Sequence, residues 1–111
     1  HAKAYHNRAL TRAKMGDDQG ALKDYDQVIR LTPQNGNAYA HRGISRNHLG
    51  DYQGALDDFN QAIKLNSQSA NVYLNRGVAW GNLNNYPKAL EDFSQAISIN
   101  PNYAEAYYNR G

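Results

Sequence analysis

Three arginines and three aspartates keep step along this 111-residue chain: Arg8, Arg42 and Arg76 are followed, always sixteen residues later, by Asp24, Asp58 and Asp92. A planar guanidinium grips a carboxylate through two parallel hydrogen bonds and tolerates partial burial better than an ammonium. A ligand-binding Arg would not require a recurrent acid, so the pattern predicts structural ion pairs between helices, within one unit or with the adjoining one. A second series, Asn7, His41, Asn75 and Asn109, also recurs at a fixed interval. An Asn amide is both donor and acceptor, so repeated copies can grip the N–H and C=O groups of an extended peptide.

Other candidate chemistry falls away. His6, His41 and His48 lack a carboxylate or Cys cluster at metal-ligand spacing, and the chain has no Cys. Asp17–Asp18 and Asp57–Asp58 do not have calcium-loop spacing. They read as solvated charge, apart from the pairing of Asp58. No Gly-rich phosphate loop, nucleophile elbow or acid/base constellation is present. The expectation is a non-enzyme with no cofactor and no metal.

The elements that position these residues follow from a 34-residue period. "AYHNRA", "AYAHRG", "VYLNRG" and "AYYNRG" begin at Ala4, Ala38, Val72 and Ala106. Three full units result, 2–35, 36–69 and 70–103, with a stub at 104–111 that reads as the first helix of a fourth. In each unit the first helix carries Tyr at position 4, Arg at 7 and a small residue at 8, with position 14 also on the packing side. Gly16, Gly50 and Asn84 follow at position 15, where a helix stop needs a left-handed residue. A second helix runs from about position 18 with Ala at 20, Leu at 21 and an aromatic at 24 (Tyr25, Phe59, Phe93). Each unit is therefore a helical hairpin, and the fold class is all-α.

The pattern resembles the tetratricopeptide repeat family over essentially the whole chain. Aromatics at 4 and 24, small residues at 8, Ala at 20 and Pro33 and Pro101 at 32 carry the resemblance. Arg at position 7, Arg12 and Arg46 at 11, Asp18 at 17, Val28 at 27 and Ser67 at 32 depart from it. The "NRG" variant is similar to arrays found in bacteria. The resemblance implies antiparallel hairpins stacked into a right-handed superhelical solenoid, with the first helices lining a concave groove.

On those helices a stripe offset from the packing side contains Lys3, His6, Asn7, Leu10 and Lys14, then Asn37, Ala40, His41, Ile44 and His48, then Asn71, Leu74, Asn75, Val78 and Asn82. The stub adds Glu105, Tyr108 and Asn109. The Asn series on this stripe resembles the asparagine ladder of the enzyme that attaches N-acetylglucosamine to Ser and Thr. The clamp with which some relatives hold chaperone C-termini is not expected, because the corresponding positions (His6, Leu10, His41, Asn71 and Asn75) lack its cations. The expected function is a protein-interaction scaffold that holds an extended peptide or a partner helix. End-to-end stacking of copies is the alternative, and RNA binding a more distant one.

Bulk composition agrees with that order. Net charge is only +2, with six Lys/Arg against four Asp in the first unit and balanced charge in the second and third. That is too little base for nucleic acid. No apolar run is of membrane-spanning length and no signal-peptide pattern opens the chain, so the default expectation is a soluble, cytoplasmic protein. A first residue of His1 points to a fragment of a longer array.

Overall fold

The computed structural model of the chain describes residues 1–65 and 68–101. Ser67, Tyr108, Asn109 and the rest of the stub at 104–111 lie outside the described residues. The described residues form six helices in succession: α1 (Ala2–Lys14), α2 (Asp18–Leu31), α3 (Gly36–His48), α4 (Tyr52–Lys64), α5 (Ala70–Asn82) and α6 (Tyr86–Ile99).

Each first helix stops where a left-handed residue follows. Gly16 (φ 84°), Gly50 (φ 83°) and Asn84 (φ 64°) occupy equivalent places, and Gly or Asn enters that conformation at least cost. The second helices then start from a side-chain cap: Asp17 accepts from the Gly20 N–H (2.9 Å), Asp51 from Gly54 (3.1 Å) and Asn85 from Lys88 (3.4 Å). Asp17 is thus a helix cap and not merely solvated charge, a role generally worth about 0.5–2 kcal/mol. The early stop also leaves position 14 beyond the packed face. Met15, Leu49 and Leu83, expected in the packing stripe, are 79%, 39% and 40% exposed.

Consecutive helices pair into hairpins α1–α2, α3–α4 and α5–α6, and α2–α3 and α4–α5 join one hairpin to the next. The first helices also touch each other, α1 to α3 and α3 to α5, so they lie side by side along one face of a 41 × 25 × 22 Å body. This is an all-α solenoid in which each hairpin packs on its neighbours.

The core is correspondingly segmented. Ala9, Ala21 and Tyr25 form the first cluster, and Ala70, Leu74, Ala89, Phe93 and Ala96 the last. The middle cluster crosses a junction: Ala40, Ala55, Leu56, Phe59 and Ala62 pack with Val72 and Ala79 of the next hairpin. Small residues at position 8 make the close approach possible. A Cβ on Gly43 would lie 2.8 Å from Cε1 of Phe59, and one on Gly77 would lie 2.6 Å from Cε1 of Phe93.

Candidate functional site

The side chains that present the first-helix face are held from behind by the Arg–Asp pairs. Arg8 donates from Nε and Nη2 to Asp24 at 2.9 and 2.7 Å, Arg42 to Asp58 at 3.0 and 2.8 Å, and Arg76 to Asp92 at 2.9 and 2.8 Å. Every pair lies within one hairpin. The three carboxylates are 2%, 3% and 5% exposed, so each is a buried charge answered by a bidentate partner. The Arg8 hydrogen bond holds Asp24 below the usual carboxylate range, against burial, which pushes it up. Burial pulls Arg42 down, but its bonds to Asp58 and Asp26 and their charge leave it above its ordinary value. Each guanidinium also lies over a tyrosine of its own helix, 5.4–5.5 Å from the ring centre of Tyr5, Tyr39 or Tyr73.

Two further layers of this network escaped the sequence reading. The arginines at position 11, read there only as departures from a family pattern, serve the same acids: Arg12 Nη1 donates to Asp24 (3.1 Å) and Arg46 Nη1 to Asp58 (3.0 Å). In the third hairpin Trp80 takes that place and Lys88 sits over its ring, 5.1 Å from the centre. The remaining nitrogen of the position-7 arginine reaches back to the previous hairpin, from Arg42 Nη1 to Asp26 (2.8 Å) and from Arg76 Nη1 to Asn60 (2.9 Å). The signal was a side-chain acceptor recurring at position 25, as Asp26, Asn60 and Ser94.

The face in front of these pins divides into three depths. Lys3, Asn7, Lys14, Asn37, His48, Asn71 and Asn82 are exposed. Leu10, Ile44 and Val78 are half-buried and lean on the three core clusters. Leu74, expected on the groove, is only 3% exposed and belongs to the core beside Phe93, and Ala40 is buried likewise. Position 5 therefore faces inward in the second and third copies, which corrects the stripe.

The polar groups on this face are not equally free. Asn75 donates Nδ2 to the backbone carbonyl of Asn71 (2.8 Å) and to Asn71 Oδ1 (3.1 Å), and Asn82 donates to the carbonyl of Val78 (2.9 Å). His48 Nδ1 lies 3.3 Å from Asp18 Oδ1, across the first junction. His6 and His41 are half-buried in a ring cluster with Tyr25: His41 stacks on Tyr25 (6.0 Å, 12°), and His6 meets both edge-on, at 5.4 Å from His41 and 5.9 Å from Tyr25. Burial lowers the pKa of His41, with the nearby His6 adding to it, and burial lowers that of His6. Burial likewise pushes the Tyr25 hydroxyl up to about 12. Among the described residues no three His, Asp or Glu side chains are grouped to hold a metal ion, and no helix is long and apolar enough to cross a membrane.

Stacked antiparallel hairpins with a 34-residue period, each pinned by arginine on a buried aspartate, define a helical-repeat protein. The chain belongs to the tetratricopeptide repeat family: descriptions of that repeat match residues 2–35 and 70–103, and a related TPR repeat description matches 45–84. Solved structures with the same fold include MamA (TM-score 0.92, 24% identity), whose chain is covered to 64% by 98% of this one. The Arabidopsis OM64 TPR domain is similar (TM-score 0.95, 24% identity, covering 98% of this chain and 90% of that one). So is the first TPR of Spaghetti (RPAP3) bound to the HSP90 peptide SRMEEVD (TM-score 0.94, 24% identity, 98% and 86% covered). No curated protein matches the sequence.

Proposed function

We propose that the chain is a protein-interaction scaffold whose first-helix face holds an extended peptide. The observation that carries this reading is a set of exposed polar side chains (Lys3, Asn7, Lys14, Asn37, Asn71, Asn82) on three adjoining helices, beside half-buried Leu10, Ile44 and Val78. None of these positions is acidic. Amides and ammonium groups can serve a peptide backbone, and the aliphatic line offers shallow apolar contact for alternate side chains. Peptide binding by the RPAP3 domain of like fold supports the reading. Asn7 is the sharpest of the series because its side chain is exposed, while Asn75 is engaged by its own helix. The test is a random-peptide screen repeated with Asn7→Ala and Asn75→Ala. The reading expects Asn7→Ala to weaken the selected peptides and Asn75→Ala to matter less; indifference to both removes the asparagine mechanism.

A second reading, self-association of copies, draws on one contrast. Leu90 on α6 is 45% exposed, whereas its equivalent Leu56 is 2% exposed under the next hairpin. A mass in solution that stays monomeric as concentration rises would exclude it.

A further inference from the structure

At one end of the first-helix face lies an open cleft of about 350 Å³, lined by Ala2, Lys3, His6, Asn7, Thr32 and Asn35. It forms between α1 and the turn that joins α2 to α3. Its donors outnumber its acceptors. Lys3 and Asn7 are exposed. Asn35 spends its oxygen on capping α3, accepting from the Ala38 N–H at 3.2 Å, which leaves its amide nitrogen to donate. Thr32 gives its hydroxyl proton to the carbonyl of Val28 (2.7 Å). Burial lowers the pKa of His6 and so favours its neutral ring, which still donates one N–H. Among the described residues no acidic side chain lines the cleft, and the ammonium of Lys3 is the one positive charge in its lining.

We infer that this cleft is a specificity subsite for an acidic side chain of the bound peptide, with Lys3 supplying the charge and the Asn7 and Asn35 amides orienting the carboxylate. The inference rests on the peptide-groove reading and deepens it. An ammonium and two amides make charge-assisted and neutral bonds that a Gln side chain meets with half the acceptors and no charge. The equivalent stretches of the second and third hairpins offer Asn37 and Asn71 where the first offers Lys3, so the preference for an acid belongs to this end of the groove.

The test uses three short probes, a Gly-rich hexapeptide blocked at both ends with one central Glu, the same peptide with Gln, and the Gln peptide with a free C-terminal carboxylate. Each is titrated into the isotope-labelled chain while amide and side-chain signals are followed. The Glu probe is expected to shift Lys3, Asn7 and Asn35 and to bind about threefold to tenfold more tightly than the Gln probe, with the advantage shrinking as salt is added. Lys3→Gln should abolish that advantage, and Lys23→Gln, which removes the same charge from exposed α2 outside the cleft and the groove, should keep it. Equal shifts from the Glu and Gln probes along α1, α3 and α5 would overturn the subsite while sustaining the groove. A preference for the free C-terminal carboxylate alone would overturn the side-chain assignment. Silence from all three would overturn both readings.

Discussion

The two junctions between hairpins share a backbone arrangement and differ in chemistry. Where α2 meets α3 the contacts are an ion pair, a polar contact and an aromatic cluster: Arg42 to Asp26, His48 beside Asp18, and His6, Tyr25 and His41. Where α4 meets α5 they are neutral. Arg76 reaches the amide oxygen of Asn60, Asn47 Nδ2 donates to the carbonyl of Asn75 (3.0 Å), and Leu56 and Phe59 share one cluster with Val72 and Ala79. The Arg–Asp pin inside each hairpin does not change. What every copy requires is the internal pin, whereas a junction needs only an acceptor at position 25 and a surface that fits.

The largest expected effect strikes both junctions at once. Asp58→Ala removes the acceptor of Arg42 and Arg46, which are only 16% and 28% exposed, and should cost about 3–5 kcal/mol in urea unfolding. Asp92→Ala strands one arginine instead of two and should cost less. Equal losses would show that the second guanidinium contributes nothing.

Next come the apolar contacts. Leu56→Ala should cost about 2–5 kcal/mol, because Leu56 is 2% exposed at the neutral junction. Leu22→Ala, at the equivalent place on α2 and only half-buried, should cost distinctly less. If the two substitutions match, the junctions do not differ in apolar content.

Acid should separate the junctions further. The folded chain holds His6 and His41 below their ordinary pKa, so the unfolded chain takes up protons first as pH falls. Their stabilising contribution is complete above about pH 6.5, declines below it, and levels off once the folded-state values are passed. Urea midpoints at about pH 7 and pH 5 should therefore differ, and the difference should shrink in His41→Gln. An undiminished pH response in that variant would assign the effect elsewhere.

The smallest effect comes from making one junction resemble the other. Asp26→Asn gives Arg42 the neutral acceptor that Arg76 already has in Asn60. Since Asp26 is 52% exposed, the change should be about 0–1 kcal/mol and should vanish at high salt. A larger loss would make that bridge a requirement of the stack.

The hairpins were legible because the period repeats three times and the left-handed stops fall at one place. The internal pins were legible because acid and base recur together. Periodicity does not fix the rotation of each first helix to within one residue, so it puts Leu74 on the groove stripe when the residue is core. Nor could it show that the Arg12 and Arg46 departures join the pins, or that Arg42 uses its third nitrogen on Asp26, because those contacts depend on how hairpins sit against each other. Asn75 looked equivalent to Asn7, but its amide closes onto its own helix through Asn71, a residue with no amide counterpart in the first copy, where Lys3 stands.

The most direct test of the peptide groove is photo-cross-linking. A peptide selected from the random library, carrying a photoreactive residue, would be bound, irradiated and mapped by mass spectrometry. The account predicts cross-links on α1, α3 and α5, at or beside Lys3, Asn7, Asn37 and Asn71. Cross-links concentrated on the exposed faces of α2, α4 and α6, around Lys23, Asp57 and Gln95, would contradict it.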